Sequence, residues 1–118
     1  MYGHLDYIAR YIPANSYTYD WHDFNDLICI ILKTIIEQGK GIEINTAGLK
    51  YGMPEPNPCL DIVKIYHDLG GEIITVGSDA HEVKFFAYRF DVVADMLKNA
   101  GFNYYTIFNE RKPEFIRL

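Results

Sequence analysis

Glu72-Ile73-Ile74-Thr75-Val76-Gly77-Ser78-Asp79-Ala80-His81 is the stretch on which the fold turns. Four β-prone residues, Ile73 to Val76, predict a short buried strand, and Gly77 and Ser78 break it. Asp79 and His81 follow at i and i+2, a spacing at which side chains in an extended turn project to the same side. Both can then point into one pocket at the carboxyl end of a strand, where parallel α/β folds place their chemistry. Alone, Asp-x-His carries two readings, a metal site or a cap beside a surface histidine.

Working outward, apolar residues on both sides keep a helical period. Phe24, Leu27, Ile28, Ile31, Ile35 and Ile36 predict a first helix, with Asp23 as its N-cap, Asp26 suiting the dipole and Gly39 ending it. Gly41 to Asn45 reads as a short alternating strand, and Thr46 to Pro56 as a loop. Asn57-Pro58 reads as a cap followed by proline at the first helical position. Ile62, Ile65, Tyr66 and Leu69 mark one face of a second helix closed by Gly70-Gly71. A third helix is expected over Tyr88 to Ala100, with Val92, Val93, Met96, Leu97 and Ala100 inward. Tyr104 to Phe108 reads as the last strand and Asn109 to Leu118 as a tail that begins as a loop. Helices alternating with strands imply right-handed βαβ units, a parallel sheet, and strand ends at Asn45, Ser78 and Phe108 on one rim.

Bulk properties narrow the class. The 118 residues, 49% hydrophobic and 23% charged, describe one soluble globular domain spanning 1–118. A net charge of −5 leaves no basic excess for nucleic acid. Leu27 to Leu32, the longest apolar run, is too short to cross a membrane, and no signal-peptide pattern opens the chain, so a cytoplasmic protein is expected. Cys29 and Cys59 are too few for a disulfide framework and read as reduced and structural. Pro13 to Trp21 lacks apolar periodicity, and Tyr11, Tyr17 and Tyr19 are expected on an exposed loop or contact surface.

Three segments meet at the expected rim: Gly3-His4-Leu5-Asp6, Glu43-Ile44-Asn45-Thr46 and Gly77-Ser78-Asp79-Ala80-His81. Together they resemble the histidinol-phosphatase branch of the PHP (polymerase and histidinol phosphatase) superfamily. Gly3 to Arg10 resembles its Gly-His-x-Asp segment with a downstream arginine. Glu43 to Lys50 resembles its next segment, Gly77 to His81 its Gly-Ser-Asp-Ala-His, and Phe108 to Pro113 its Phe-x-x-Arg-Lys-Pro ending. The resemblance implies a distorted (β/α)7 barrel, here partial, with a multinuclear centre of zinc, manganese or iron that hydrolyses phosphomonoesters. It implies His4, Asp79 and His81 as metal ligands, with Asp79 and His81 catalytic. Arg10 and Lys50 are then substrate-binding, Lys50 near a position that is usually Arg, so the charge is kept but the two-pronged contact is lost. Clustered divalent ions acidify a water into a nucleophile and screen phosphoryl oxygens, and imidazole with carboxylate suits such ions.

Structural readings stand beside these. His4 can be an ordinary histidine near a terminus. Glu43 and Asn45 can hydrogen-bond within the sheet interior or touch substrate. Arg10 can pair with Asp6, four residues earlier. His22 and His67 match no ligand of the family and read as a loop residue and a solvent-facing helix residue.

A complete barrel of this kind needs roughly 250 residues. The family's His-x-His pair and bridging glutamate have no counterpart here. The chain is therefore expected to be the carboxyl-terminal half of a histidinol-phosphatase, from a shortened, split or damaged gene. Its partners are expected to be a small phosphorylated metabolite, L-histidinol phosphate, and either a second copy or the missing half-barrel. Half a barrel leaves strand edges and an apolar lumen uncovered. Two classes follow: a phosphatase fragment with little turnover alone, or a non-catalytic α/β association module.

Overall fold

The computed structural model describes residues 1–13 and 18–118. Tyr17, within the expected Pro13–Trp21 loop, lies outside the described residues. The elements in chain order are α1 (Asn25–Glu37), β1 (Ile42–Asn45), α2 (Leu60–Asp68), β2 (Ile74–Gly77), α3 (Phe90–Asn99), β3 (Tyr104–Asn109) and β4 (Lys112–Arg117). Short 3-10 turns fill Tyr7–Tyr11, Trp21–Phe24, Ala47–Tyr51 and Val83–Phe85. This is a mixed α/β fold.

β1 and β2 pair in parallel, Ile42 against Ile74 through Asn45 against Gly77. Tyr2 adds a parallel bridge on the other side of β1, its amide donating to the Gly41 carbonyl at 2.7 Å and its carbonyl accepting from Glu43 at 3.0 Å. His4, Thr46 and Ser78–His81 consequently follow neighbouring parallel segments and leave them at the same end. That common end positions the site.

Ile42, Ile44, Ile62, Val63, Tyr66, Ile74 and Leu32 are completely buried, and Val93 and Leu97 nearly so. The alternation in β1 and the three-to-four-residue spacing in the helices point these side chains at one core. Each of the three helices ends as its glycine requires. Gly39, Gly70 and Gly101 have φ of 62°, 89° and 97°. Their amides and those of the next residues return to carbonyls of the last turn: Gly39 to Ile36, Lys40 to Ile35, Gly70 to His67, Gly71 to Tyr66, Gly101 to Lys98 and Phe102 to Leu97.

The helix starts differ from expectation. α1 follows a 3-10 turn whose cap is Asp20, accepting from the His22 amide at 3.0 Å, and Phe24 rather than Asp23 takes the N-cap of α1. α2 has Cys59 at its N-cap, and Glu55 accepts from the Leu60 amide at 3.2 Å. Asn57 is unavailable as a cap because its backbone exchanges two hydrogen bonds with Asn45, at 2.7 and 3.0 Å. The expected 46–56 loop contains the Ala47–Tyr51 turn.

The tail opens with a turn at Glu110 and Arg111, in line with the expected loop, and continues as a strand. β4 pairs antiparallel with β3, Tyr104 against Arg117 through Asn109 against Lys112. The last strand of the chain is thus half of a hairpin and not a third ladder beside β2. Between the strands Glu110 and Arg111 both take positive φ, 49° and 66°, as a two-residue mirror-image turn demands. Such turns ordinarily announce themselves with Asn-Gly, so Glu-Arg gave no signal. β3 packs beside β2 through a side chain: the Ile74 amide donates to buried Thr106 Oγ1 at 3.2 Å. No helix among the described residues is long and apolar enough to cross a membrane.

Candidate functional site

His4 sits just past the Tyr2 bridge in the left-handed region, with φ of 59°, and Asp79 just past β2 with φ of 46°. Each is held off the regular extended path, which turns its side chain across the rim. His4 Nε2 lies 3.9 Å from Asp79 Oδ2, and His4 Nδ1 lies 3.9 Å from Glu43 Oε2. The imidazole stands between two carboxylates. His81 joins from the far side, its Nδ1 3.0 Å from the Asp79 carbonyl and 3.9 Å from Asp79 Oδ1. Its side chain is 84% exposed against 27% for Asp79, so its outer ring nitrogen faces the open.

Thr46 locks the rim. Its amide donates to the Gly77 carbonyl at 2.8 Å and its hydroxyl to the Tyr88 carbonyl at 2.6 Å. Lys50 reaches across from the 3-10 turn, donating to the carbonyls of Asp79 at 3.2 Å and Ser78 at 3.5 Å. Arg10 lies over the Tyr51 ring at 3.8 Å and donates to the Tyr7 hydroxyl at 2.9 Å. It does not take the Asp6 partner that its i+4 spacing allows. Asp6 instead accepts from Asn57 Nδ2 at 2.6 Å. Burial, opposed by that hydrogen bond and assisted by Glu55, raises the Asp6 carboxyl to a pKa of about 6.

Tyr7, Arg10, Tyr11, Lys50, Tyr51, Asp79 and His81 line a cleft of about 310 Å³. Larger hollows of about 530 and 570 Å³ lie against His67 and Phe102 and against Trp21 and Glu55. Neither holds the two cations and the acid–imidazole pair, so the smaller cleft is the chemically equipped one. Arg10 and Lys50 face Asp79 across it, a combination that suits an anionic group bound beside metal donors.

The donor chemistry and the donor count say different things about a metal. An imidazole and a carboxylate at 3.9 Å can share one divalent ion, and their types suit zinc, manganese or iron. Yet among the described residues no group of three or more His, Cys, Asp or Glu is arranged to hold a metal ion. The residues present fit part of a metal centre. They do not complete one.

The structure thus brings His4, Asp79, His81, Arg10 and Lys50 to one rim. His22 stays apart, its Nδ1 2.6 Å from Asp20 Oδ1, and His67 packs edge-on against Phe102 at 4.9 Å. Tyr51 was missed as a member of the site, and Glu43, read as a sheet-interior or substrate-touching residue, stands beside His4. The signal for Glu43 was the pair of glycines, Gly3 and Gly77, in the segments that flank its strand. A Cβ on Gly77 would collide with Glu43 Oε1, and one on Gly3 would stand 3.1 Å from Oε2.

No family model matches the chain. It is 44% identical over 106 residues to a probable histidinol-phosphatase of Thermotoga maritima, a match covering 89% of this chain and 42% of that protein. It is 32% identical over 99 residues to a probable histidinol-phosphatase of Clostridium acetobutylicum, covering 84% and 38%. It is 30% identical over 112 residues to the histidinol-phosphatase of Lactococcus lactis, covering 94% and 41%. The chain therefore spans about two fifths of the length of these relatives. The crystal structure of histidinol phosphate phosphatase from Lactococcus lactis, complexed with zinc, L-histidinol and phosphate, superposes with a TM-score of 0.72 at 24% identity, over 96% of this chain and 43% of that one. At that identity the superposition speaks for the fold, and over most of its length this chain is similar in sequence to these histidinol-phosphatases.

Proposed function

We propose that the chain is the carboxyl-terminal portion of a metal-dependent phosphomonoester hydrolase of the histidinol-phosphatase type, a cytoplasmic enzyme of histidine biosynthesis converting L-histidinol phosphate to L-histidinol. Residues 1–118 form one domain, the later part of a PHP-type barrel. The observation that carries this reading is the approach of His4 Nε2 to Asp79 Oδ2, 3.9 Å, where Asp79 also lines a cleft with Arg10 and Lys50.

His4, Asp79 and His81 are the donors this portion contributes, the others coming from the length of the relatives that the chain does not cover. A divalent ion held there would supply Lewis acidity toward phosphoryl oxygens. Arg10 binds the phosphate as a planar donor kept in place by Tyr51. Lys50 adds charge while anchoring the Asp79 backbone. The supporting relatives are the 44% identical Thermotoga maritima protein and the zinc-, histidinol- and phosphate-bound Lactococcus lactis structure.

Replacing the matching segment of the Thermotoga maritima protein with this chain tests the reading. The chimera is expected to hydrolyse L-histidinol phosphate in the presence of zinc and to lose that activity on Asp79→Asn. A folded, zinc-supplied chimera without turnover overturns it. Alone, the 118 residues are expected to show little or no turnover, and activity matching a full-length relative would refute that expectation.

A second reading, a non-catalytic association module, has one specific observation behind it. Among the described residues β4 pairs on one side only, and Ile107, Phe108 and Phe115 of the hairpin are exposed. Pairing with a second copy or with the missing half-barrel would cover that edge. A monomer in light scattering at high concentration counts against pairing between copies.

A further inference from the structure

We infer that the groove between the Tyr2 segment and the Leu27–Ile30 face of α1 is the docking surface for the earlier portion of the histidinol-phosphatase, the part of the relatives that this chain does not cover. The identity of that partner rests on the proposed function; where it binds is new. The chain matches 42%, 38% and 41% of its relatives' lengths, which leaves more than half of each to be placed against it.

The outer faces of the three helices differ. Those of α2 and α3 carry exposed Asp61, Lys64, Asp91, Asp95 and Lys98, and neither helix exposes a large apolar side chain. α1 buries Ile28, Leu32 and Ile35, yet Leu27 is 54% and Ile30 61% exposed. With Ile31 and Thr34 these form a second stripe at helical spacing beside the buried one. Thr34 returns its hydroxyl to the Ile30 carbonyl at 2.8 Å, so the one polar side chain of the stripe is already partnered. Exposed Met1 and Tyr2 face this stripe across a groove of about 420 Å³. Burial of such a stripe is favourable, and a helix that met only water there would be expected to carry charge, as α2 and α3 do.

The backbone sets the form of the occupant. Tyr2 spends its amide on the Gly41 carbonyl and its carbonyl on the Glu43 amide. Alternation turns the amides and carbonyls of Met1 and Gly3 away from β1, where a further parallel strand can pair. A right-handed crossover from that strand into the Tyr2 segment sets its helix on the α1 side of the sheet, over Leu27 and Ile30. At the other end of the array Pro113 takes a donor out of β4, the mark of an edge that resists extension.

Co-expression of the full chain with the tagged, unmatched earlier portion of the Thermotoga maritima protein tests this. The two are expected to copurify. Ile30→Glu should weaken retention roughly tenfold or more, and Phe115→Glu on β4 should leave it unchanged. Retention indifferent to Ile30→Glu, retention lost on Phe115→Glu, or no copurification overturns the inference. So does a chain that dimerises by itself and falls to monomer on Ile30→Glu, because the groove then belongs to a second copy. Should Ile30→Glu lower the melting temperature of the chain alone, hydrogen exchange of the wild-type pair decides: added protection over 25–37 and not over 112–117 is expected, and the reverse overturns. The single-chain chimera keeps the two failures apart. Turnover by the chimera without copurification of separate chains leaves the function standing, and copurification with an inactive chimera leaves the docking surface standing.

Discussion

Lys50 Nζ holds the carbonyl oxygen of Asp79 at 3.2 Å, tying a short 3-10 turn to the loop beyond β2 across 29 positions of chain. The contact explains how an aspartate with φ of 46° keeps its carboxylate over the rim. Non-glycine residues avoid that conformation unless their surroundings impose it.

Lys50→Met should therefore release the Ser78–His81 loop. About 1–2 kcal/mol of stability should be lost, the scale of a hydrogen bond from a charged donor. Amide exchange at Asp79 and Ala80 should rise. Unchanged exchange there would show that the loop holds itself.

Tyr66 is completely buried and its hydroxyl donates to the Ile73 carbonyl at 3.0 Å. Burial pushes its pKa up to about 12, from 10.0. Its protonated form is favoured by the fold, so that contribution is intact below pH 10 and lost as pH climbs through 12. Tyr66→Phe should cost about 1 kcal/mol at pH 7. Denaturation of the two proteins should converge or cross between pH 10 and 12; a constant difference across that window would contradict the buried phenol.

Asp6 gives the same sign in a lower window. With a folded pKa of about 6 against 3.8, the neutral carboxyl stabilises the fold below pH 4 and that contribution disappears as pH rises through 6. Asp6→Asn keeps an oxygen that can accept from Asn57. It should match the wild type near pH 4 and exceed it by about 1–2 kcal/mol at pH 8, allowing for screening on the open side. Melting curves at the two pH values check this, and a variant less stable at pH 8 would contradict it.

Gly77→Ala should move Glu43 without unfolding the chain, because the added methyl meets the end of a flexible side chain. A loss of about 1–3 kcal/mol is expected from overpacking. Gly41→Ala should be worse, since its methyl would meet the Ile73 backbone carbonyl, which carries the β1–β2 ladder. Urea midpoints that rank the two variants the other way would refute this account of the sheet.

By itself the sequence determined the helices, the two parallel strands and the Ser78–His81 run after the second. Apolar spacing reports which face is buried, and Gly39, Gly70 and Gly101 stop helices wherever they stand. The extended turn expected at Asp79 is not formed: its φ is 46°, and His81 meets it through the Asp79 carbonyl, 3.0 Å from His81 Nδ1. Only the tertiary structure decided the rest. The Glu110–Arg111 turn depends on the β3–β4 hairpin that forces positive φ onto residues with no preference for it. Asn57 lost its cap role to a backbone pairing with Asn45, and Arg10 took Tyr51 in place of Asp6. Glu43 became a neighbour of His4 because three adjacent parallel segments set two glycines on either side of one carboxylate. Local propensity is a property of neighbouring residues in the chain, whereas these partners are selected by what the folded sheet places within a few ångströms.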